Sequence, residues 1–229
     1  MFGRNKIAMV VAEFLGTFVL TSAVYAALLE RLPAMFVAST AAIAMGLMVL
    51  LVGKTSGSHI NPAVTVGMWT LRKIESTRAI VYIAAQFLGA VAAWQLSAYW
   101  LKAPLRTLTP TTFDWRVLSA EVVGTVIFGF GIAAALYQGY KGLRQAVAVG
   151  ASLGLGILVA STASNGILNP AVALGIRSWN FVYVAGPVLG AIVGMNLYAQ
   201  LFADRPTRVK SASTARKTFA KKKTTKKRK

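Results

Sequence analysis

A four-residue segment, Asn61-Pro62-Ala63-Val64, recurs as Asn169-Pro170-Ala171-Val172, an offset of 108 positions. The same offset lays Ala12, Glu13, Gly16 and Thr17 on Ala120, Glu121, Gly124 and Thr125, Gly46 on Gly154, and Gly67 on Gly175, all without a gap. Identities held in register over ~50 residues mark an internal structural repeat rather than a chance recurrence. A fold for this chain must therefore build two similar halves around two copies of one motif.

The solvent for those halves is a bilayer. Of 229 residues, 56% are apolar and 14% charged, whereas a soluble domain carries roughly 25% charged residues. Five stretches with at most one charge each, 7–29, 32–53, 79–101, 117–140 and 178–203, exceed the ~20 residues needed to cross ~30 Å of hydrocarbon. A sixth, 145–176, is too long for one helix and is broken at Ser164-Asn165-Gly166 and at Asn169-Pro170. It predicts a span from Gln145 to about Ala163, a turn and a short second helix. A matching broken stretch, 55–71, follows the second span. The first span is too long for a cleaved signal peptide and has no small-residue cleavage site. The chain has no Cys, which excludes disulfides, thiolate catalysis and Cys-ligated metals. The lone His59 excludes a Zn centre built from several imidazoles.

Each half contributes three spans, an odd number, so the second half enters the membrane from the opposite face as an inverted repeat. Six spans put both termini on one side. Assigning that side to the cytoplasm places 20 Lys and Arg inside against 5 outside (Arg31, Lys102, Arg106, Arg116 and Arg177). The positive-inside rule thus predicts a multi-pass protein of the cell membrane with both termini cytoplasmic.

Asn is a favoured helix N-cap and Pro a favoured first helical residue, so each Asn-Pro-Ala reads as a helix start. About ten residues from Asn61 to Leu71, and about ten from Asn169 to near Trp179, give ~15 Å of helix, half the hydrocarbon core. Two such half-helices, inverted, meet N-terminus to N-terminus at the midplane. Irregular backbone at that depth is tolerated only where it lines a cavity or is buried in protein. Each helix N-terminus carries about half a positive charge, which repels cations, while the Asn61 and Asn169 amides supply N–H donors. A pore of that kind suits small neutral hydroxylic solutes.

The paired motifs 56–64 (SGSHINPAV) and 165–171 (NGILNPA), with Ala-Glu opening the first and fourth spans, resemble those of the aquaporin and aquaglyceroporin (major intrinsic protein) family. Segments 82–90 (YIAAQFLGA) and 183–191 (YVAGPVLGA) add to the likeness, which covers about residues 7–203. The resemblance implies an all-α integral membrane fold, a right-handed bundle of six transmembrane helices with two half-helices. It also implies a homotetramer with one pore per subunit, conducting water and small neutral solutes without a cofactor. Asn61, Pro62, Ala63, Asn169, Pro170 and Ala171 then form the pore centre. The family usually places Arg directly after the second Asn-Pro-Ala; here Val172 stands there. Gapless register adds Ala41, Ile157 and Gly166, giving an outer constriction wider and more apolar than that of a strict water channel. Arg177 occupies a position often basic in glycerol conductors, and a cation in the last turn of a helix is also favourable in its own right.

Glu13 and Glu121 are the carboxylates deep in spans. A proton-coupling pair is one reading; their symmetric placement, and the family resemblance, favour carboxylates that hold loop backbone. His59 reads as a vestibule residue bonded to its own loop, with a pH gate as the sharper alternative. The Gly186, Gly190, Gly194 stripe and the Ala85, Gly89, Ala93 stripe predict close helix packing inside the subunit. Trp94, Trp100, Trp115 and Trp179 lie mostly near span ends, as interfacial anchors do.

Residues 1–203 thus form one channel domain, with repeats at about 7–101 and 116–203. Residues 204–229 carry 12 Lys or Arg against one Asp, which predicts a disordered cytoplasmic tail, read either as a solvated extension that reinforces cytoplasmic retention of the C-terminus or as one that adheres to anionic lipid. With Phe219 as its one aromatic, the tail is poorly equipped to bind nucleic acid. Two competing classes share parts of this pattern: a secondary transporter, which would carry further carboxylates or cation ligands on its half-helices, and a membrane-anchored scaffold acting through the tail.

Overall fold

The computed structural model describes residues 4–103 and 112–203. Helices α1 (Arg4–Leu29), α2 (Ala34–Ser56), α3 (Pro62–Thr70) and α4 (Ser76–Leu101) make the first half, and α5 (Trp115–Tyr137), α6 (Gly142–Ala160), α7 (Pro170–Gly175) and α8 (Val182–Leu201) the second. Six of the eight are long and apolar enough to cross a membrane. The spans expected from composition stand within about four residues of the observed helices. The basic tail lies outside the described residues.

The short second helix departs from expectation. It runs for six residues, not the ten predicted from Asn169 to about Trp179. The helix ends because Arg177 takes a left-handed backbone (φ 60°). Its N–H then returns to the Leu174 carbonyl at 3.1 Å and that of Ser178 to Ala173 at 2.8 Å, the paired bonds of a Schellman stop. Arg31, Arg72 and Lys102 close α1, α3 and α4 in the same way, with φ of 52°, 57° and 52°. Cations at these positions sit against the negative ends of helix dipoles. Arg31, Lys102 and Arg177 are three of the five basic residues assigned to the outer face, so capping accounts for most of the exceptions to the charge rule.

Helices approach one another through small residues. A Cβ on Gly190 would lie 2.4 Å from the Val122 carbonyl oxygen, and one on Gly194 2.2 Å from that of Val126, so the predicted α8 stripe packs on α5 of the same chain. On α4, Gly89 meets the Phe14 carbonyl of α1 in the same manner, at 2.3 Å. The half-helices cross over: Gly67 of α3 abuts Met195 and Ala191 of α8, and Gly175 of α7 abuts Thr21 of α1 and Ala90 of α4. Each half-helix thus docks on the third span of the opposite half, which locks the halves together. Outward-facing side chains are apolar, Ile43, Leu51, Ile80, Leu88 and Leu143 among them, as hydrocarbon contact requires.

Gly190→Ala is expected to destabilise the protein by ~1–3 kcal/mol through overpacking against backbone. Gly53→Ala, whose Cβ would meet nothing closer than 3.7 Å, is expected to be neutral or to stabilise by ~0.5–1 kcal/mol. Thermal melts of the two variants in one detergent check the contrast.

Candidate functional site

Asn61 and Asn169 cap α3 and α7 as their sequence suggests. The Asn61 Oδ1 accepts from the Ala63 N–H at 2.8 Å, and the Asn169 Oδ1 from the N–H groups of Ala171 and Val172 at 3.0 and 3.3 Å. The amide nitrogens then cross between halves. Asn61 Nδ2 donates to the Leu168 carbonyl at 2.8 Å, and Asn169 Nδ2 to the Ile60 carbonyl at 3.0 Å. These reciprocal bonds bring the two half-helix N-termini face to face, with Pro62, Ala63, Pro170 and Ala171 buried beside them.

The carbonyls are aimed by the backbone before them. Ile60 and Leu168 adopt left-handed φ values of 41° and 53°, conformations that cost a non-glycine residue roughly 1–2 kcal/mol each. Buried carboxylates hold them there. Glu13 accepts from the N–H of His59 at 3.0 Å and of Ile60 at 2.7 Å, and from the hydroxyl of Ser56 at 2.6 Å. Glu121 accepts from the N–H of Ile167 at 3.0 Å and of Leu168 at 2.8 Å, and from the hydroxyl of Ser164. Every partner is a donor, so both carboxylates act as acceptors throughout. Gly16 and Gly124 complete the arrangement. A Cβ at either would strike the side chain of Ile60 or Leu168, at 2.2 and 2.9 Å.

The halves differ in what surrounds these carboxylates. Gln86 Nε2 donates to Glu13 at 2.7 Å and to Thr65 Oγ1 at 2.9 Å. Thr65 Oγ1 lies 3.2 Å from His59 Nδ1 and donates to the Asn61 carbonyl at 3.0 Å. In the second half, the 108-residue register places Ile167 and Ala173 where the first has His59 and Thr65, and the alignment of segment 183–191 with 82–90 places Pro187 opposite Gln86. His59 is buried, bonded to α3 and edge-on to Tyr82. Gln86, Thr65, Ser56 and Ser164 were not singled out by sequence. Ser56 and Ser164 keep the 108-residue offset and could have been found by it, whereas Gln86 has no counterpart to reveal it.

Ala41, Ile157 and Val172 are buried in one contiguous apolar cluster. Gly166 abuts Ile157: a Cβ there would lie 2.7 Å from the Ile157 carbonyl oxygen. Arg177 stands two residues beyond the end of α7, not in its last turn, and its guanidinium sits over the Trp94 ring at 4.8 Å. Among the described residues no cluster of His, Asp and Glu could hold a metal ion.

The geometry has counterparts. The profile of the Major intrinsic protein family matches residues 3–198. Aquaporin NIP1-3 of Oryza sativa subsp. japonica is 33% identical over 227 residues, covering 91% of this chain and 79% of its own. Aquaporin AqpM of Methanothermobacter marburgensis is 29% identical over 181 residues, covering 66% and 70%. The X-ray structure of the aquaglyceroporin from Plasmodium falciparum superposes with a TM-score of 0.71 at 21% identity, covering 86% of this chain and 96% of that one, a likeness of fold. With inverted halves, facing Asn-capped half-helices and a family match over most of its length, this chain belongs to the major intrinsic protein family, the passive channels for water and small uncharged solutes.

Proposed function

We propose that the pore of this channel runs between the facing N-termini of α3 and α7 and conducts small neutral polyols such as glycerol as well as water. The reading is supported by the lack of charge among the residues that register assigns to the outer ring. Ala41, Ile157, Gly166 and Val172 bring no cation and little bulk to the mouth, and Arg177, the nearest cation downstream, is engaged by Trp94. At the centre, each Asn amide nitrogen carries a second hydrogen beyond the one given to the opposite loop, so two donors are available to a hydroxyl oxygen. The converging helix termini repel a cation by a few kcal/mol at an effective dielectric near 20, and dehydration adds to that barrier.

Neither half-helix carries a carboxylate, and the two buried carboxylates already accept from loop donors and, at Glu13, from Gln86, which favours a channel over an ion-coupled transporter. Passage breaks no bonds and needs no cofactor. The protein works as a homotetramer in the cell membrane with both termini cytoplasmic, a placement supported by the 20-to-5 partition of basic residues. The basic tail then lies along the anionic inner leaflet. The apolar outer ring also rests on register, which ties the solute preference to one substitution.

Val172→Arg is expected to lower glycerol permeability about tenfold, equivalent to ~1.4 kcal/mol on the barrier, while water permeability falls less. Light scattering from proteoliposomes under glycerol and sucrose gradients measures both; equal losses contradict the wide mouth. Glu121→Gln turns an amide N–H₂ toward donors and is expected to cost ~1.5–3 kcal/mol of stability, the range for a hydrogen bond to a charged group, together with much of the flux. An unchanged melting midpoint and flux would show that the carboxylate does not hold the loop.

A further inference from the structure

The end of the molecule that carries the α3–α4 turn has two adjoining clefts. One, of about 450 Å³, lies between the first turns of α1 and α4, with Ile7, Val10, Val11 and Val81 as walls and Lys6 and Arg78 at its mouth. The other, of about 510 Å³, is polar, lined by Arg72, Lys73 and Ser76 with Trp69 on one side. Glu75 and Arg78 line both, so the two share a wall. From Lys6 to Val11 the apolar cleft descends ~7 Å along α1, from the charged rim toward hydrocarbon depth. Together the clefts present four cations, Lys6, Arg72, Lys73 and Arg78, against one carboxylate.

We propose that this double cleft binds a single anionic phospholipid, its acyl chain along the α1–α4 groove and its phosphate headgroup between Arg78 and Arg72. Charge selects the occupant. The net excess of three positive charges at the mouth requires an anion, and an apolar groove opening from that mouth into the bilayer requires the anion to carry a chain. The chain's own tail, residues 204–229 with a net charge of +11, has the wrong sign to fill it. The site lies on the face of the positive end of the topology, where the inner leaflet supplies anionic lipid. None of its residues belongs to the Asn-Pro-Ala segments or to the positions assigned to the outer ring.

The test uses full-length protein, delipidated in a neutral detergent and titrated with phosphatidylglycerol or phosphatidylcholine, with bound lipid counted by native mass spectrometry. The wild type is expected to retain phosphatidylglycerol preferentially. Arg78→Gln and Arg72→Gln are each expected to weaken that binding about fivefold, the effect of one cation near an anionic surface. Arg78→Lys, which keeps the charge, retains most of it. Lys141→Gln, a cation on the same face outside both clefts, changes nothing, and glycerol 1-phosphate, a headgroup without chains, competes poorly. Equal retention of the two lipids by the wild type would overturn the proposal. So would losses in Lys141→Gln matching those in Arg78→Gln, which would make the preference a diffuse property of the face. A preference that survives the Arg72→Gln, Arg78→Gln double variant would assign the lipid to the tail, and effective competition by glycerol 1-phosphate would assign the cleft to soluble phosphate; either result rejects it.

Discussion

Breaking a helix in the middle of a bilayer exposes peptide groups where no water can satisfy them, at a cost of several kcal/mol each. Here the two loop residues ahead of each half-helix's Asn are satisfied by four side chains. Glu13 and Glu121 take the N–H groups, and Asn169 and Asn61 take the carbonyls of Ile60 and Leu168 across the pseudo-twofold axis. Because each asparagine bonds the other half, neither loop is complete alone. The crossed docking of α3 on α8 and of α7 on α1 and α4 follows from the same interlock.

Seen this way, most identities in the repeat have a physical task. Glu13 and Glu121 hold backbone. Gly16 and Gly124 make room for Ile60 and Leu168, while Thr17 and Thr125 return their hydroxyls to the helix carbonyls of Glu13 and Glu121, at 2.9 and 2.7 Å. Gly67 and Gly175 let the half-helices reach the opposite half. These positions were legible because two copies of one sequence could be compared, and the physical demands at the midplane fall equally on both. Less was legible where the copies diverge or where the demand is purely conformational. Ile60 and Leu168 take left-handed backbone without being glycine, a state that only the surrounding hydrogen bonds reveal. The length of α7 was overestimated because the last shared identity is Gly175, and the Arg177 cap that stops the helix lies beyond it. Gln86 stands opposite Pro187 and so carried no repeat signal.

The divergence between halves is itself informative. In the first half a chain of polar contacts runs from Glu13 through Gln86 and Thr65 to His59; in the second, the corresponding sequence positions are held by Ile167, Ala173 and Pro187, which bring no polar side chain. The two ends of one symmetric framework therefore offer different surroundings. The end predicted to face the cytoplasm is braced by side-chain hydrogen bonds, and the end predicted to face outward is apolar, with Val172 in place of the family's usual Arg. The polar contacts around His59 thus come from positions released from the repeat, whereas Val172 repeats Val64 and the framework that joins the half-helices resides in positions bound by the repeat.

The central claim is that neutral solute passes between the facing half-helices down its own gradient. The most direct measurement is the glycerol and water permeability of proteoliposomes before and after proton and cation gradients are collapsed with ionophores. A passive channel predicts permeabilities well above those of empty vesicles and unchanged by the ionophores. Flux that stops when the ion gradients are removed, or that never exceeds that of empty vesicles, would contradict it.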